Sequence, residues 1–115
     1  NRPPFVDLLR CVADCSAGLT HMHALGIVHR DIAARNVLLD GHNRGYIADF
    51  GFARALEREG DVGQTAANIG PVKWMAPESL TGAKEYSAKS DVYSFGVMLY
   101  ELLANGVEPW PGCNF

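Results

Sequence analysis

The sequence predicts an α+β fold, mainly helical with a short β-hairpin, and three stretches carry that expectation. Phe5, Leu8, Val12, Cys15, Leu19 and Met22 recur at alternating steps of three and four, which places one apolar stripe on a helix. Val37-Leu38-Leu39 and Tyr46-Ile47-Ala48 flank the polar, glycine-bounded turn Asp40-Gly41-His42-Asn43-Arg44-Gly45, a hairpin signal. Ser90 is placed to cap a second helix that runs to Ala104, with Gly106 beyond it.

Along the chain, Asp7 sits where the positive end of the first helix favours a carboxylate, and Gly26 is placed to end that helix in a left-handed conformation. Ile27-Val28 then reads as a short buried strand. One strand of the hairpin starts beside Asn36 and the other delivers Asp49, so a two-stranded ribbon can hold both oxygen-bearing side chains side by side. From Phe52 to Ile69 no periodicity is sustained, which predicts a loop. The second helix carries apolar residues on more than one face, which predicts burial. Tyr46, Tyr86, Tyr93 and Tyr100 fall in strand or helix contexts and read as packing residues.

The 115 residues fit one domain at most. With 48% hydrophobic and 20% charged residues the composition is globular and not that of a disordered chain. A net charge of −3 leaves no basic footprint, which argues against a nucleic-acid partner. Cys11 and Cys15 stand four apart on the first helix and read as thiols of a reducing compartment. The longest apolar stretch, Val92 to Ala104, is too short to span a bilayer and contains Glu101, so no direct membrane contact is expected of this segment.

The chemistry concentrates in His29-Arg30-Asp31-Ile32-Ala33-Ala34-Arg35-Asn36, where a carboxylate and an amide oxygen lie five residues apart on one loop. Asp49-Phe50-Gly51 begins thirteen residues after Asn36, and Ala76-Pro77-Glu78 follows. This ordered set resembles the signatures of the eukaryotic protein kinase catalytic domain, and Ala33-Ala34-Arg35 resembles its tyrosine-kinase or tyrosine-kinase-like branch. The resemblance implies a kinase large-lobe (C-lobe) segment over residues 1–115. The glycine-rich nucleotide loop, the strand Lys and its Glu partner have no counterpart in these residues, nor do the last helices of the large lobe. An isolated segment of that kind is expected to be inactive.

By the same resemblance, Asp31 orients the substrate hydroxyl and accepts its proton, Asn36 and Asp49 hold Mg²⁺, and Leu38 floors the adenine pocket of ATP. Kinases acting on Ser or Thr usually carry a Lys two residues after the base. Here that position is Ala33, and Arg35 stands two further on, which fits the longer reach of a tyrosine-containing peptide. Pro71, Lys73 and Trp74 resemble a tyrosine-kinase substrate platform. His29 and Phe50 resemble a stacked apolar column whose assembly marks the active state, with Asp91 as its anchor. Arg30 resembles the residue that receives an activation-loop phosphate. Between Asp49 and Glu78 the only hydroxyl residue is Thr65. Either Thr65 is the phosphosite, or Glu57, Glu59 or Asp61 satisfies Arg30 without phosphorylation. The alternatives to a tyrosine kinase are a Ser/Thr or dual-specificity enzyme and a non-catalytic pseudokinase or adaptor. The expected location is cytoplasmic, as a soluble protein or as the cytosolic part of a membrane receptor.

Overall fold

The computed structural model describes residues 4–51, 53–55, 63–64, 72–81, 85–105 and 109–112, and its longest element is helix α1, Phe5–Ala24. The helix buries Leu8, Cys11, Cys15, Leu19 and Met22, while Phe5 is exposed and Val12 half-buried. The stripe is therefore rotated slightly from the predicted one, because the hairpin lies directly over Cys11. As expected, Asp7 sits in the first turn, and Gly26 adopts a φ of 76° just beyond the last turn, where its N–H donates to the His23 carbonyl.

Strand β1 (Ile27–Val28) follows and leads into the loop that carries Asp31. A single 3₁₀ turn, Ala34–Asn36, connects that loop to the hairpin of β2 (Val37–Leu39) and β3 (Gly45–Ile47). The register pairs Val37 with Ile47, Leu38 with Tyr46 and Leu39 with Gly45. Asp40 shapes the turn by accepting from the backbone N–H groups of His42 and Arg44. Asp14 on α1 pins the hairpin down, accepting from the Arg44 side chain and from the Gly45 N–H at 3.0 Å. The Arg44 guanidinium holds the Asp14 carboxyl well below the usual carboxylate range.

The predicted loop over Phe52 to Ile69 contains two short antiparallel pairings. Strand β4 (Arg54–Ala55) pairs with β1, and β5 (Gly63–Gln64) with the later β6 (Glu85–Tyr86). Two-residue strands lie below the length at which alternation is legible. A 3₁₀ turn at Val72–Trp74 and the short helix α2 (Pro77–Leu80), with Pro77 in its first turn, come next.

Helix α3 spans Ala88–Leu103, and its start corrects the predicted cap. Ser87 is the N-cap and accepts from the Lys89 N–H, while Ser90 sits one turn inside and accepts from the Ser87 N–H. Its burial is also corrected. Ser90, Asp91, Ser94, Met98 and Glu101 face inward, whereas Val92, Tyr93, Tyr100 and Leu103 are exposed. Tyr46 is exposed as well, so the packing role expected of four tyrosines holds for Tyr86 alone. Cys11, Cys15 and Leu19 of α1, Ile32 of the loop and Met98 of α3 form the core. Among the described residues no helix is long and apolar enough to cross a membrane.

A Cβ added at Gly45 would lie 2.7 Å from Cys11 Sγ and 3.0 Å from the Cys11 carbonyl oxygen, and backbone at that range cannot swing aside. Gly45→Ala should therefore lower stability by about 1–3 kcal/mol through overpacking, read as a reduced Tm. Cys11 and Cys15 are free and buried. Burial, reinforced by Cys11, pushes the Cys15 thiol from its ordinary 9.0 up to about 12, and burial also raises Cys11. Their folded-state values lie above the unfolded ones, so the stability they contribute is complete below the ordinary value and is lost as pH climbs through the folded value. Replacing both with Ala should flatten the fall in Tm across that alkaline window.

Candidate active site

The loop after β1 is built so that Asp31 is held on both sides by residues one turn further along. Arg35 Nη2 donates to Asp31 Oδ1 at 2.5 Å, and Asn36 Nδ2 donates to Asp31 Oδ2 at 2.9 Å and to the Asp31 carbonyl at 2.7 Å. The turn over Ala34–Asn36 makes this possible, because it brings side chains four and five residues away back over the carboxylate. Asp31 and Asn36 are buried, while Arg35 is exposed with its guanidinium 4.7 Å from the ring centre of Trp74.

Asp49 approaches this group from the hairpin. The Ala48 N–H donates to the Asn36 carbonyl at 2.7 Å, which places Asp49 one residue beyond a direct backbone link to Asn36. Asp49 has a φ of 57°, and its Oδ1 accepts from the Gly51 N–H at 3.2 Å. His29 ties the two segments together: its Nε2–H donates to the Ala48 carbonyl at 2.8 Å, and its Nδ1 accepts from the Asp31 N–H at 3.1 Å. That pairing selects the Nε2-protonated tautomer. The ring also lies against Phe50, 5.2 Å between centres, so the expected His29–Phe50 contact is present with the other side of Phe50 exposed.

Asp91, 1% exposed at the start of α3, fixes the loop from beneath. Its Oδ2 accepts from the His29 N–H at 2.8 Å and from His23 Nε2 at 2.8 Å, and its Oδ1 accepts from the Arg30 N–H at 3.0 Å. Arg30 has a φ of 73° and packs 4.0 Å over the Tyr86 ring. Among the described residues, Arg30 Nε and Nη2 and the Tyr86 hydroxyl are buried without a hydrogen-bond partner.

Trp74 is half-buried, and its indole N–H donates to Glu101 Oε2 at 2.7 Å. Lys73 Nζ donates to the Trp110 carbonyl at 3.3 Å, while Trp110 Nε1 donates back to the Lys73 carbonyl at 3.1 Å. Leu38 lies exposed on β2 opposite Tyr46. Pro71, Thr65, Glu57, Glu59 and Asp61 lie outside the described residues. Sequence reasoning missed His23, the place of Tyr86 under the Arg30 guanidinium and the role of Glu101. Only Glu101 carries a signal, as the one charged side chain between Val92 and Ala104.

Among the described residues no group of three or more His, Cys, Asp or Glu side chains could hold a metal ion. Asn36 and Asp49 nevertheless offer the chemistry Mg²⁺ takes when phosphates complete its shell, one amide oxygen and one carboxylate. Asn36 suits this because its amide nitrogen is spent on Asp31, so its carbonyl oxygen is the atom left over.

A family model described as protein tyrosine and serine/threonine kinase matches residues 1–115. The chain is 40% identical over 110 residues to the tyrosine-protein kinase abl-1 of Caenorhabditis elegans, covering 96% of this chain and 9% of that protein. It is 43% identical over 108 residues to fibroblast growth factor receptor 1 of Xenopus laevis, covering 94% and 13%. Against ephrin type-A receptor 8 of Mus musculus it is 42% identical over 106 residues, covering 91% and 10%. The chain thus spans about a tenth of the length of these relatives.

Removing the Asp91 carboxylate would strand the backbone N–H groups of His29 and Arg30 in the interior. Asp91→Ala in the full-length protein should cost about 3 kcal/mol or more, since each unsatisfied buried donor costs about 1–3 kcal/mol. Denaturant unfolding measures it, and a loss below about 1 kcal/mol would show that water replaces the carboxylate.

Proposed function

The chain belongs to the protein tyrosine and serine/threonine kinase family, in its tyrosine-kinase branch, and from that premise we propose that residues 1–115 are a large-lobe segment of a kinase domain that transfers the γ-phosphoryl group of ATP to a tyrosine hydroxyl of a protein. The observation that carries this reading is the hydrogen-bonded set of Asp31, Arg35 and Asn36. Phosphoryl transfer asks for positioning and charge neutralisation more than covalent work, and a carboxylate held at both oxygens is a positioned one.

In this reading Asp31 orients the incoming hydroxyl and takes its proton. Arg35 holds one side of the carboxylate and presents its remaining N–H groups to phosphate oxygens. Ala33 puts a small uncharged side chain where kinases acting on Ser or Thr carry a Lys, which suits the longer reach of a phenol. Asn36 and Asp49 hold Mg²⁺, which when bound neutralises phosphate charge. Leu38 gives an apolar floor to the adenine, and Pro71, Lys73 and Trp74 form the peptide platform. Phe50 reports the state of the column it makes with His29. Arg30 Nε and Nη2, which have no hydrogen-bond partner among the described residues, are suited to an anion, supplied by phosphorylated Thr65 or by an acidic side chain of the same loop. The isolated segment is inactive, the partner is a tyrosine-containing protein, and the site faces the cytosol.

A second reading, Ser/Thr or dual specificity, is favoured by one observation: Thr65 is the sole hydroxyl residue between Asp49 and Glu78. Phosphoamino-acid analysis of a peptide library treated with the full-length protein separates the two, phosphotyrosine alone supporting the first. Asp31→Asn in that protein should lower kcat by about 10²–10⁴-fold, the range for a positioned acid–base group, with Tm little changed. Turnover that survives the substitution refutes the assignment.

A further inference from the structure

We propose that Glu101 is a positioning residue for the transfer, a clasp by which α3 sets the peptide platform and Arg35 in register with Asp31. The proposal deepens the kinase reading above and rests on it. Glu101 is 8% exposed, and its Oε2 accepts two hydrogen bonds from segments far apart in the chain. One comes from the Ala34 N–H at 2.9 Å, in the turn between Asp31 and Arg35, and the other from Trp74 Nε1 at 2.7 Å. The Trp74 ring lies against the Arg35 guanidinium, and Arg35 donates to Asp31. The contacts close a ring: Asp31 to Arg35, Arg35 to Trp74, Trp74 to Glu101, Glu101 to Ala34, and back along three peptide bonds to Asp31.

A buried carboxylate in the last turn of a helix is costly unless hydrogen bonds compensate it. Among the described residues no cation pairs with Glu101, so its two N–H donors are the compensation present in the structure. Because a single oxygen serves both, displacement of the platform weakens the bond to the turn that carries Arg35, and the reverse. Substrate docking is thereby transmitted to the residue that holds Asp31. Trp74 is anchored independently through its backbone, where Ser94 Oγ–H donates to its carbonyl. Deleting the indole N–H alone therefore interrupts the clasp without releasing the segment.

The test uses the full-length protein with a tyrosine-containing peptide, comparing Glu101→Ala, Glu101→Gln, Trp74→Phe and the Glu101→Ala/Trp74→Phe double variant. Glu101→Ala should lower kcat/KM for peptide by about tenfold or more, the scale of losing buried hydrogen bonds to a charged acceptor, while KM for ATP moves less than about twofold. Glu101→Gln, whose carbonyl oxygen accepts the same two bonds, should restore most of the loss. Trp74→Phe should reproduce part of the defect, and in the double variant the effects should be less than additive because both remove the same bond. Additive effects, equal damage to KM for ATP, or a Gln variant no better than Ala would overturn the proposal. Should Glu101→Ala fail to fold, the Gln and Phe variants decide: wild-type kinetics in Trp74→Phe overturns the clasp. If the wild-type protein transfers no phosphate, or Asp31→Asn leaves transfer intact, the kinase reading fails instead. Silent Glu101 variants beside an inactive Asp31→Asn sink the clasp alone.

Discussion

The fold turns on one buried carboxylate. Asp91 accepts the N–H groups of two consecutive residues, His29 and Arg30, at a point where the chain reverses between strand β1 and the loop that carries Asp31. No secondary-structure ladder could satisfy both donors there, because Arg30 has left extended geometry for a φ of 73°. Charge-assisted bonds from a carboxylate are the strong kind, and the helix start at which Asp91 sits adds a favourable local field. Met98 and Glu101 further along the same helix then meet Ile32 and the Ala34 N–H, so the loop lies along α3 over much of its length. The position of the loop is set by the helix beneath it more than by the strand before it.

This arrangement inverts the usual amphipathic rule. The inward stripe of α3 reads Ser90, Asp91, Ser94, Met98 and Glu101, mostly polar, because its neighbours are loops whose backbone groups need partners and not apolar faces that need burial. The apolar residues Val92, Tyr93 and Tyr100 point outward and, with Pro109, Trp110 and Pro111, line a cavity of 580 Å³. A reading that equates apolar with buried encloses this helix on more than one face, whereas Val92, Tyr93, Tyr100 and Leu103 are exposed.

What the sequence made legible was local. The α1 stripe, the left-handed Gly26 and the hairpin depend on residues within a few positions of one another, and so does the cluster of Asp31, Arg35 and Asn36, four and five residues apart. Even so, local signals failed where two equivalent residues competed. Ser87 and Ser90 both suit a helix start, and only the extended backbone at Ser87 decides between them. The partners of His23 and Ala34 lie 68 and 67 residues away, and no periodicity encodes a separation of that kind; the bond of His29 to Asp91, 62 residues away, was legible only through the family resemblance. Tyr86 was read as packing, which holds, but its position under the Arg30 guanidinium depends on the same long-range closure.

Strain shows how tightly that closure is enforced. A non-glycine residue in the left-handed region costs about 1–2 kcal/mol, and the site contains two among the described residues, Arg30 directly after His29 and Asp49 directly after Ala48. Asp49, like Asn43 in the hairpin loop, is a short polar residue that tolerates the conformation, and its Oδ1 accepts from the Gly51 N–H, whereas Arg30 has no such allowance. Each is held from outside itself: Arg30 by the Asp91 carboxylate on its N–H, and Asp49 through Ala48, whose N–H and carbonyl are both committed, to Asn36 and His29. The two strained residues therefore share one brace, the imidazole of His29, which reaches the Ala48 carbonyl with one nitrogen and the Asp31 N–H with the other. Relaxing either residue would move Asp31 or Asp49 relative to Asn36. The imidazole acts here as a spacer of fixed length, a task that a flexible amide or hydroxyl at position 29 would perform less rigidly.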